Sequence, residues 1–262
     1  MQGSYIELYK RVKSSFKRPG LFDLPFVEHL KRELSFFITP LFLKWDVTPN
    51  QASCLNYCIG VAAAILISIG YHWSLVAGLV IFFISEVVDR VDGNIARTTG
   101  TSSFFGKFLD GLFDIATFTL LSFALSVYVY INSGSGLLFW LGVINTVLTP
   151  FQHFILDRYS AYARWINESS SLQLKPYIRL EKGAGFLNIL FDLQYVVLVL
   201  AIFNYSWGIC LYFLINVVTA KIQIYNHVIS ASKNMRVSKK SPKQAQDYQV
   251  LKERVSLYDN GT

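Results

Sequence analysis

Charged side chains are scarce in this sequence. Only 16% of its 262 residues are Asp, Glu, Lys or Arg, against about 25% in a typical soluble domain, whereas 53% are hydrophobic. This balance argues against an ordinary soluble domain and favours a protein of the lipid bilayer. Cysteine is also rare, because Cys54, Cys58 and Cys210 are the only three. All three lie in apolar runs, where we expect small packing residues rather than a disulfide or a metal site.

Long apolar runs take the place of the missing charge. A membrane-spanning helix needs about 20 apolar residues, and six segments meet this requirement. They cover residues 50–70, 73–95, 108–131, 137–157, 185–203 and 207–230. The sequence therefore predicts an all-α integral membrane protein with six transmembrane helices.

The short connections between these segments indicate the orientation of the protein. The connections at residues 71–72, 132–136 and 204–206 contain no Lys or Arg. The basic residues instead concentrate in the N-terminal arm, the other loops and the C-terminal tail, and cytoplasmic segments carry such an excess. We therefore expect a multi-pass protein with both termini on the cytoplasmic side, in a bacterial plasma membrane.

The N-terminal arm predicts one further helix. Residues 25–45 place apolar side chains at helical spacing and charged side chains between them. This pattern favours an amphipathic helix in the membrane interface, with Lys31, Arg32 and Lys44 toward the lipid headgroups. A short soluble helix packed on the bundle is the alternative.

Three regions follow from these features. Residues 1–47 form a basic N-terminal arm with the interfacial helix, residues 48–230 a six-helix membrane catalytic domain, and residues 231–262 a basic tail. We expect the tail to be disordered and attracted to anionic lipid, which accounts for the net charge of +7. No signature of a nucleic-acid-binding fold accompanies the basic residues, so nucleic acid is not an expected partner.

Four aspartates stand where the surrounding sequence predicts membrane. Asp89 and Asp92 are spaced i, i+3, and Asp110 and Asp114 are spaced i, i+4, so each pair projects from one face of a helix. Consecutive antiparallel helices bring both pairs to the same cytoplasmic end. Four converging carboxylates repel one another unless cations compensate them, and oxygen ligands suit Mg²⁺ first and Mn²⁺ next. Two such ions about 3.5–4 Å apart would form a clamp for phosphoryl transfer.

Small residues accompany these acids. Gly93, Ala96 and Gly106 leave room for a nucleotide or a neighbouring helix to approach the backbone closely. Arg97 supplies a guanidinium fork for a diphosphate oxygen or for one of the acids. Each small residue taken alone is explained as well by ordinary helix packing.

The whole pattern resembles the signature of the CDP-alcohol phosphotransferases. It reads Asp-x-x-Asp-Gly-x-x-Ala-Arg, then eight residues, then Gly-x-x-x-Asp-x-x-x-Asp, and every specified residue and gap matches between Asp89 and Asp114. The six-segment layout also resembles this family. So does TPNQAS at residues 48–53, although Ser53 stands where the family pattern has Thr.

The resemblance implies a role for each of these positions. The four aspartates would hold two Mg²⁺ or Mn²⁺ ions, and Asp114 would also be the general base that deprotonates the acceptor hydroxyl. The CDP part of the donor, expected to be CDP-diacylglycerol, would contact Asn50, Asp92, Gly93, Ala96, Arg97, Ser103 and Gly106. The acceptor oxygen would attack the phosphorus on the alcohol side of the diphosphate, and CMP would leave. The family also implies a homodimer.

The identity of the acceptor must be determined by residues outside the motif. Arg158 and Arg164 begin the predicted loop between segments 4 and 5, and Lys221 lies in the cytoplasmic half of segment 6. These cations favour an anionic acceptor such as a phosphorylated polyol, with snorkelling to the headgroups as the alternative. Glu86, one turn before Asp89, is either a neighbour of the metal site or a buried protonated acid, and the sequence leaves both open.

Two other functions are weighed against this enzyme. A membrane prenyltransferase also uses paired aspartates and Mg²⁺ on a diphosphate, but it is expected to have more spans and does not need the Gly-Ala-Arg-Gly framework. A cation transporter would place its acidic site near the midplane on broken helices, whereas these aspartates are predicted at cytoplasmic helix ends. The sequence therefore favours transfer of a substituted phosphate group to an alcohol.

Overall fold

The computed structural model describes residues 3–16, 25–169, 174 and 184–235, and its regular secondary structure in those ranges is entirely helical. The helices are α1 (Tyr5–Ser14), α2 (Phe26–Lys44), α3 (Pro49–Ser68), α4 (His72–Thr99), α5 (Phe104–Ser133), α6 (Gly136–Ser169), α7 (Ala184–Phe203) and α8 (Tyr205–Asn234). Helices α3 to α8 correspond to the six predicted segments.

Four segments of the described chain are long and apolar enough to cross a membrane. They are Pro49–Ser68, Phe104–Ser133, Gly136–Asn167 and Trp207–Lys233. Helix α4 is not among them, and the apolar stretch of α7 is shorter, Asp192–Phe203. An all-helical membrane protein is thus confirmed, while the number of six spans stays a prediction.

Local sequence signals set the ends of the helices around the aspartates. Thr48 caps α3 by accepting a hydrogen bond from the backbone N–H of Gln51, whose side chain accepts one from the Thr48 N–H in return. Helix α4 ends at Gly100, whose φ of 71° is the left-handed conformation that glycine adopts readily. Helix α5 begins four residues later, after the cap Ser103. This tight turn makes α4 and α5 neighbours at the end where both aspartate pairs lie.

The described chain divides into two compact units. The first comprises Met1–Pro150 and Lys182–Val217, and the second comprises Phe151–Glu181 and Val218–Thr262. In the first unit α3 packs against α4 and α5, and α2 packs against α4 and α7. Buried apolar residues of α3, α4, α5, α7 and α8 fill its interior, among them Ala63, Phe82, Leu125, Ala201 and Phe213. A second cluster joins α1, α2 and α3 to α4 through Val12, Phe36, Ala52 and Val91.

The N-terminal arm contains two helices, of which the sequence predicted the second. Helix α2 coincides with the predicted amphipathic helix, and it leaves a row of apolar side chains exposed: Leu30, Leu34, Phe37 and Leu41. Such a row suits the membrane interface. Lys44 is exposed as predicted, but the prediction that Lys31 faces the headgroups is wrong. Its side chain is 0% exposed because two acids, Glu28 and Glu86, form ion pairs with it inside the bundle.

Helix α6 is longer than the fourth predicted segment. It runs to Ser169 because residues 151–169 contain no Gly or Pro that would end it. Arg158 and Arg164 therefore lie on a helix, and the prediction that they begin a loop is wrong. Most of the predicted tail, residues 236–262, lies outside the described residues.

Candidate active site

Three of the four motif aspartates come together between α4 and α5. Asp89, Asp110 and Asp114 each offer a carboxylate oxygen within 4.8 Å of the others, and all three are half-buried. The one-turn spacing on α5 places its two acids on one face, and the turn at Gly100 sets that face beside α4. The predicted convergence of the two helices is therefore present in the fold.

This cluster fits a hard divalent cation. Its donors are carboxylate oxygens, and no other ligand type belongs to it among the residues that the structure describes. Mg²⁺ and Mn²⁺ prefer such ligands, whereas Zn²⁺ prefers His and Cys. Three carboxylates whose oxygens lie within 4.8 Å of one another, partly shielded from water, also call for a cation to compensate them.

Asp92 lies beside this cluster rather than inside it. Its carboxylate accepts a short hydrogen bond from the hydroxyl of Ser53 on α3. Together with Asp110 it lines a neighbouring cavity of about 170 Å³. The sequence predicted a common metal site for all four aspartates, and the structure brings three of them into one cluster, with the fourth in the wall of the adjoining cavity.

Helix α3 supports both aspartates of α4. Ser53 contacts Asp92, and one turn further on the side-chain amide of Asn56 donates to Oδ1 of Asp89 at 3.1 Å. Asn56 is buried, and its carbonyl oxygen has no hydrogen-bond partner within the described chain. Sequence reasoning assigned no role to Asn56, although its spacing of three residues from Ser53 puts both on one face of α3.

The cavity gathers every residue predicted to contact CDP. Asn50, Asp92, Gly93, Ala96, Arg97, Ser103 and Gly106 all line it. Four further polar or basic residues line the cavity: Ser53, Thr101, Ser102 and Lys107. None of these four was predicted from the sequence to contact CDP. Two cations, Arg97 and Lys107, therefore lie in the wall of the same cavity as Asp92 and Asp110.

Two glycines keep this cavity open. A Cβ atom added to Gly93 would lie 3.1 Å from Nη1 of Arg97, which packs over the glycine. A Cβ atom added to Gly106 would lie 3.2 Å from Oγ of Ser103 and 3.3 Å from Oδ1 of Asn50. Both spacings are tighter than ordinary carbon contacts, so any larger residue would displace cavity-wall groups.

An ionic network lies on the other side of Asp89. Arg90 donates to Oδ2 of Asp89 at 3.2 Å and, through Nε and Nη2, to Oε2 of Glu28 at 3.2 and 2.5 Å. Lys31 donates to Glu86 at 3.1 Å and to the hydroxyl of Tyr195 on α7 at 2.9 Å. Glu86 is therefore an ion-paired acid, which answers the question that its sequence position left open.

Glu28 lies on α2, and its ionisation reflects this network. Burial alone would raise the pKa of its carboxyl group. The charges of Arg90 and Lys31 outweigh burial and hold the pKa of Glu28 below its ordinary value. Glu28 is thus a carboxylate at neutral pH.

The three predicted acceptor residues belong to the second unit. Arg158, Arg164 and Lys221 are all exposed. The guanidinium of Arg158 lies 4.9 Å from the ring centre of Tyr162 and 5.8 Å from that of Phe154. Of the other polar residues on these helices, Gln152 is hydrogen-bonded to Gln223. The role of the three cations in acceptor binding stays a prediction.

Comparison with known proteins gives matches in sequence. Residues 46–221 match the family model described as CDP-alcohol phosphatidyltransferase. A bifunctional IPC transferase and DIPP synthase of Aquifex aeolicus (strain VF5) is 30% identical over 103 residues, which are 39% of this chain and 22% of that protein. The protein of the same name from Thermococcus kodakarensis is 28% identical over 86 residues, 33% of this chain and 19% of that protein. The chain thus spans about a fifth of the length of these curated relatives.

Solved structures share the fold. The apo form of Mycobacterium tuberculosis phosphatidylinositol phosphate synthase superposes with a TM-score of 0.55 at 18% identity, covering 78% of this chain and 99% of that chain. The same enzyme with CDP-DAG bound gives a TM-score of 0.53 at 20% identity, covering 72% of this chain and 91% of that chain. At this level of identity the likeness concerns the fold.

The family match extends over more than half of the chain and contains the whole aspartate motif, together with the cavity that its small residues line. The chain therefore belongs to the CDP-alcohol phosphatidyltransferase family.

Proposed function

We propose that this protein transfers the phosphatidyl group of CDP-diacylglycerol to the hydroxyl group of a phosphorylated polyol and releases CMP. One observation carries the proposal. All seven residues that the family resemblance assigns to the CDP moiety line one cavity, and Asp110 belongs both to that cavity and to the carboxylate cluster. A donor bound there would have its diphosphate next to the acids.

The cavity supplies groups suited to each part of the donor. Arg97 and Lys107 are the cations of its wall, and they would bind the negative oxygens of the diphosphate. Asn50 and Ser103 offer neutral hydrogen-bonding groups toward the nucleoside end. Gly93 and Gly106 let the nucleotide approach the backbone, because a side chain at either position would fill the space.

The carboxylate cluster would hold the metal. Asp89, Asp110 and Asp114, with Asp92 beside them, would bind two Mg²⁺ or Mn²⁺ ions, which supply positive charge to the phosphoryl oxygens as negative charge develops on them. Two side chains of α3 hold these carboxylates in place by hydrogen bonds. Asn56 holds one oxygen of Asp89, and Ser53 holds one oxygen of Asp92.

Asp114 is the proposed general base. Its carboxylate accepts the proton of the acceptor hydroxyl, and the oxygen forms a bond to the phosphorus on the lipid side of the diphosphate. The bond between that phosphorus and the bridging oxygen breaks, and CMP leaves with the electron pair. Positioned proton transfer of this kind contributes roughly 100- to 10,000-fold to a rate.

Several features support a phosphorylated polyol as the acceptor. Arg158, Arg164 and Lys221 are exposed cations able to bind a phosphate. A protein of the same fold is named a phosphatidylinositol phosphate synthase, so an inositol phosphate is the first acceptor to try and glycerol phosphate the second. We further propose a homodimer in a bacterial plasma membrane with the active site and both termini on the cytoplasmic side.

The experiment that tests this function is a reaction with defined substrates. Purified full-length protein in detergent is mixed with CDP-diacylglycerol, Mg²⁺ and one acceptor at a time, and the lipid product is identified by mass spectrometry. We expect a phosphatidyl polyol phosphate with one of the phosphorylated acceptors. A product formed only with an unphosphorylated alcohol or a lipid alcohol would contradict the acceptor class while leaving the reaction class in place.

A further inference from the structure

Arg90 contacts a motif aspartate although the motif does not specify a residue at its position. Its guanidinium binds three groups at once: Oδ2 of Asp89 at 3.2 Å, the backbone carbonyl of Glu86, and the carboxylate of Glu28. Its side chain is 15% exposed, the same as that of Asp89. A buried guanidinium with three fixed acceptors has little freedom to move. Asp89 is therefore held from both sides, by Arg90 on Oδ2 and by Asn56 on Oδ1.

Asp89 shares Arg90 with two other acids. Arg90 forms ion pairs with Glu28 and Glu86 as well as with Asp89, and Glu28 and Glu86 are also paired with Lys31. The charge of Arg90 is thus divided among three acids, so it compensates Asp89 only in part. A carboxylate in that state is free to bind a cation, whereas one fully paired with an arginine is not.

Glu28 reaches this network from another helix. Helix α2 is anchored at its start by Asp192 of α7, whose two carboxylate oxygens accept the backbone N–H groups of Phe26 and Val27 at 2.8 and 2.9 Å. One turn later Lys31 joins α2 to Glu86 on α4 and Tyr195 on α7. The position of Glu28 is therefore set by contacts with two other helices of the first unit.

We propose that Arg90 is a positioning residue for Asp89 and that Glu28 sets the position and the available charge of Arg90. Helix α2 then controls the cation affinity of a site to which it supplies no ligand. Without the Glu28 carboxylate, Arg90 loses the charged partner that fixes its guanidinium, and Asp89 is no longer held in the orientation that binds the divalent cation. The inference rests on the proposed function, since it assumes that Asp89 binds a metal.

The test is direct binding of Mn²⁺ to the purified full-length protein. Binding is measured from the decrease in the electron paramagnetic resonance signal of the free ion. Glu28→Gln should weaken Mn²⁺ binding about 10-fold or more, the range found when a group that orients a metal ligand is lost. The matched control is Glu33→Gln, which removes the same charge from the same helix. Glu33 is paired with Lys13 at 2.9 Å, is 47% exposed and contacts none of the network, so its variant should bind Mn²⁺ like the wild type.

A double-variant cycle shows whether Glu28 acts through Arg90. Arg90→Gln should also weaken Mn²⁺ binding, and adding Glu28→Gln to it should cause no further loss. Arg90→Lys replaces Arg90→Gln in the cycle if the latter is not recovered folded, because lysine keeps the charge but lacks the fork that joins Glu28 to Asp89. The KM for the CDP donor should stay within about twofold in Glu28→Gln, whereas general loosening of the bundle would change it.

The outcomes separate this inference from the proposed function. A wild-type protein that binds no Mn²⁺ would contradict the proposed metal site. A wild type that binds Mn²⁺, with Glu28→Gln indistinguishable from Glu33→Gln, would overturn the role of Glu28. Losses that add fully in the double variant would show that Glu28 acts independently of Arg90, which also overturns the inference.

Discussion

Gly106→Ala is the substitution that most sharply tests whether the cavity beside the aspartates binds the donor. Gly106 lies in the first turn of α5, and its N–H donates to the cap Ser103 at 2.9 Å. The added methyl group would lie 3.2 Å from Oγ of Ser103 and 3.3 Å from Oδ1 of Asn50. Both neighbours must move, and both are proposed contacts of the CDP moiety.

The size of the effect follows from these contacts. Adding a methyl group to a tightly packed site costs roughly 1–3 kcal/mol. Since about 1.4 kcal/mol corresponds to a tenfold change in a dissociation constant, the KM for CDP-diacylglycerol should rise roughly 5- to 140-fold. The displacement is a few tenths of an ångström, so we expect the lower part of this range. The KM for the acceptor should change little, because neither neighbour is a proposed acceptor contact.

Gly111→Ala provides the matched control on the same helix. A Cβ atom at Gly111 meets no atom within 4 Å, and this glycine is absent from the cavity wall. The variant gains helix propensity, about 0.5–1 kcal/mol, without touching the cavity. We therefore expect an unchanged donor KM and an equal or higher melting temperature. If Gly106→Ala had the donor KM of Gly111→Ala, the cavity would not be the CDP site.

Three further predictions concern the acids and the acceptor. Asp114→Asn should lower kcat roughly 100- to 10,000-fold, while donor binding measured by equilibrium dialysis is largely kept. Asp89→Asn should also weaken Mn²⁺ binding. Normal turnover in Asp114→Asn would refute the assignment of Asp114 as the base. The variants Arg158→Gln, Arg164→Gln and Lys221→Gln should each raise the acceptor KM roughly 10- to 100-fold with little change in the donor KM, since a charged hydrogen bond is worth about 1.5–3 kcal/mol. Unchanged acceptor kinetics in all three would favour an uncharged acceptor. Because the pKa of Glu28 is held below its ordinary value, its stabilising effect is present at neutral pH and is lost as the pH falls through that lowered pKa. The melting-temperature gap between wild type and Glu28→Gln should therefore narrow on acidification, and a gap that widened would show the opposite shift.

The positions of the aspartates and their neighbours were largely predictable from the sequence. Helical spacing fixed which acids share a face, and the turn signals Gly100 and Ser103 brought the two helices together. The family resemblance assigned donor contacts to seven residues, and all seven line the cavity. These are short-range properties of single helices and one turn, which sequence periodicity reports well.

The N-terminal arm was predicted less completely. Helix α1 was missed, although Ser4 and Glu7 form a capping box and Leu8 and Val12 are buried at helical spacing. That signal was present in the sequence and short enough to overlook. The burial of Lys31 was not predictable, because it depends on Glu86 and Tyr195, which lie 55 and 164 residues away in the chain.

The same limit explains why Asn56 and Arg90 received no role from the sequence. Each acts on Asp89 through a side chain whose direction is set by packing between helices, and neither position is specified by the motif. A basic residue next to an aspartate on a helix is ordinarily read as a surface charge. Its importance follows only from the contact with Glu28 on α2.

The carboxylates of α4 and α5 are proposed to hold the ions for transfer of a phosphatidyl group. The most direct test measures CMP release by the purified protein from CDP-diacylglycerol and an acceptor, first with Mg²⁺, then after excess chelator, then after Mg²⁺ is restored. We predict release in the first condition, none in the second, and full recovery in the third for the wild type but not for Asp110→Asn. Full activity in excess chelator, or wild-type activity in Asp110→Asn, would contradict this role of the carboxylates.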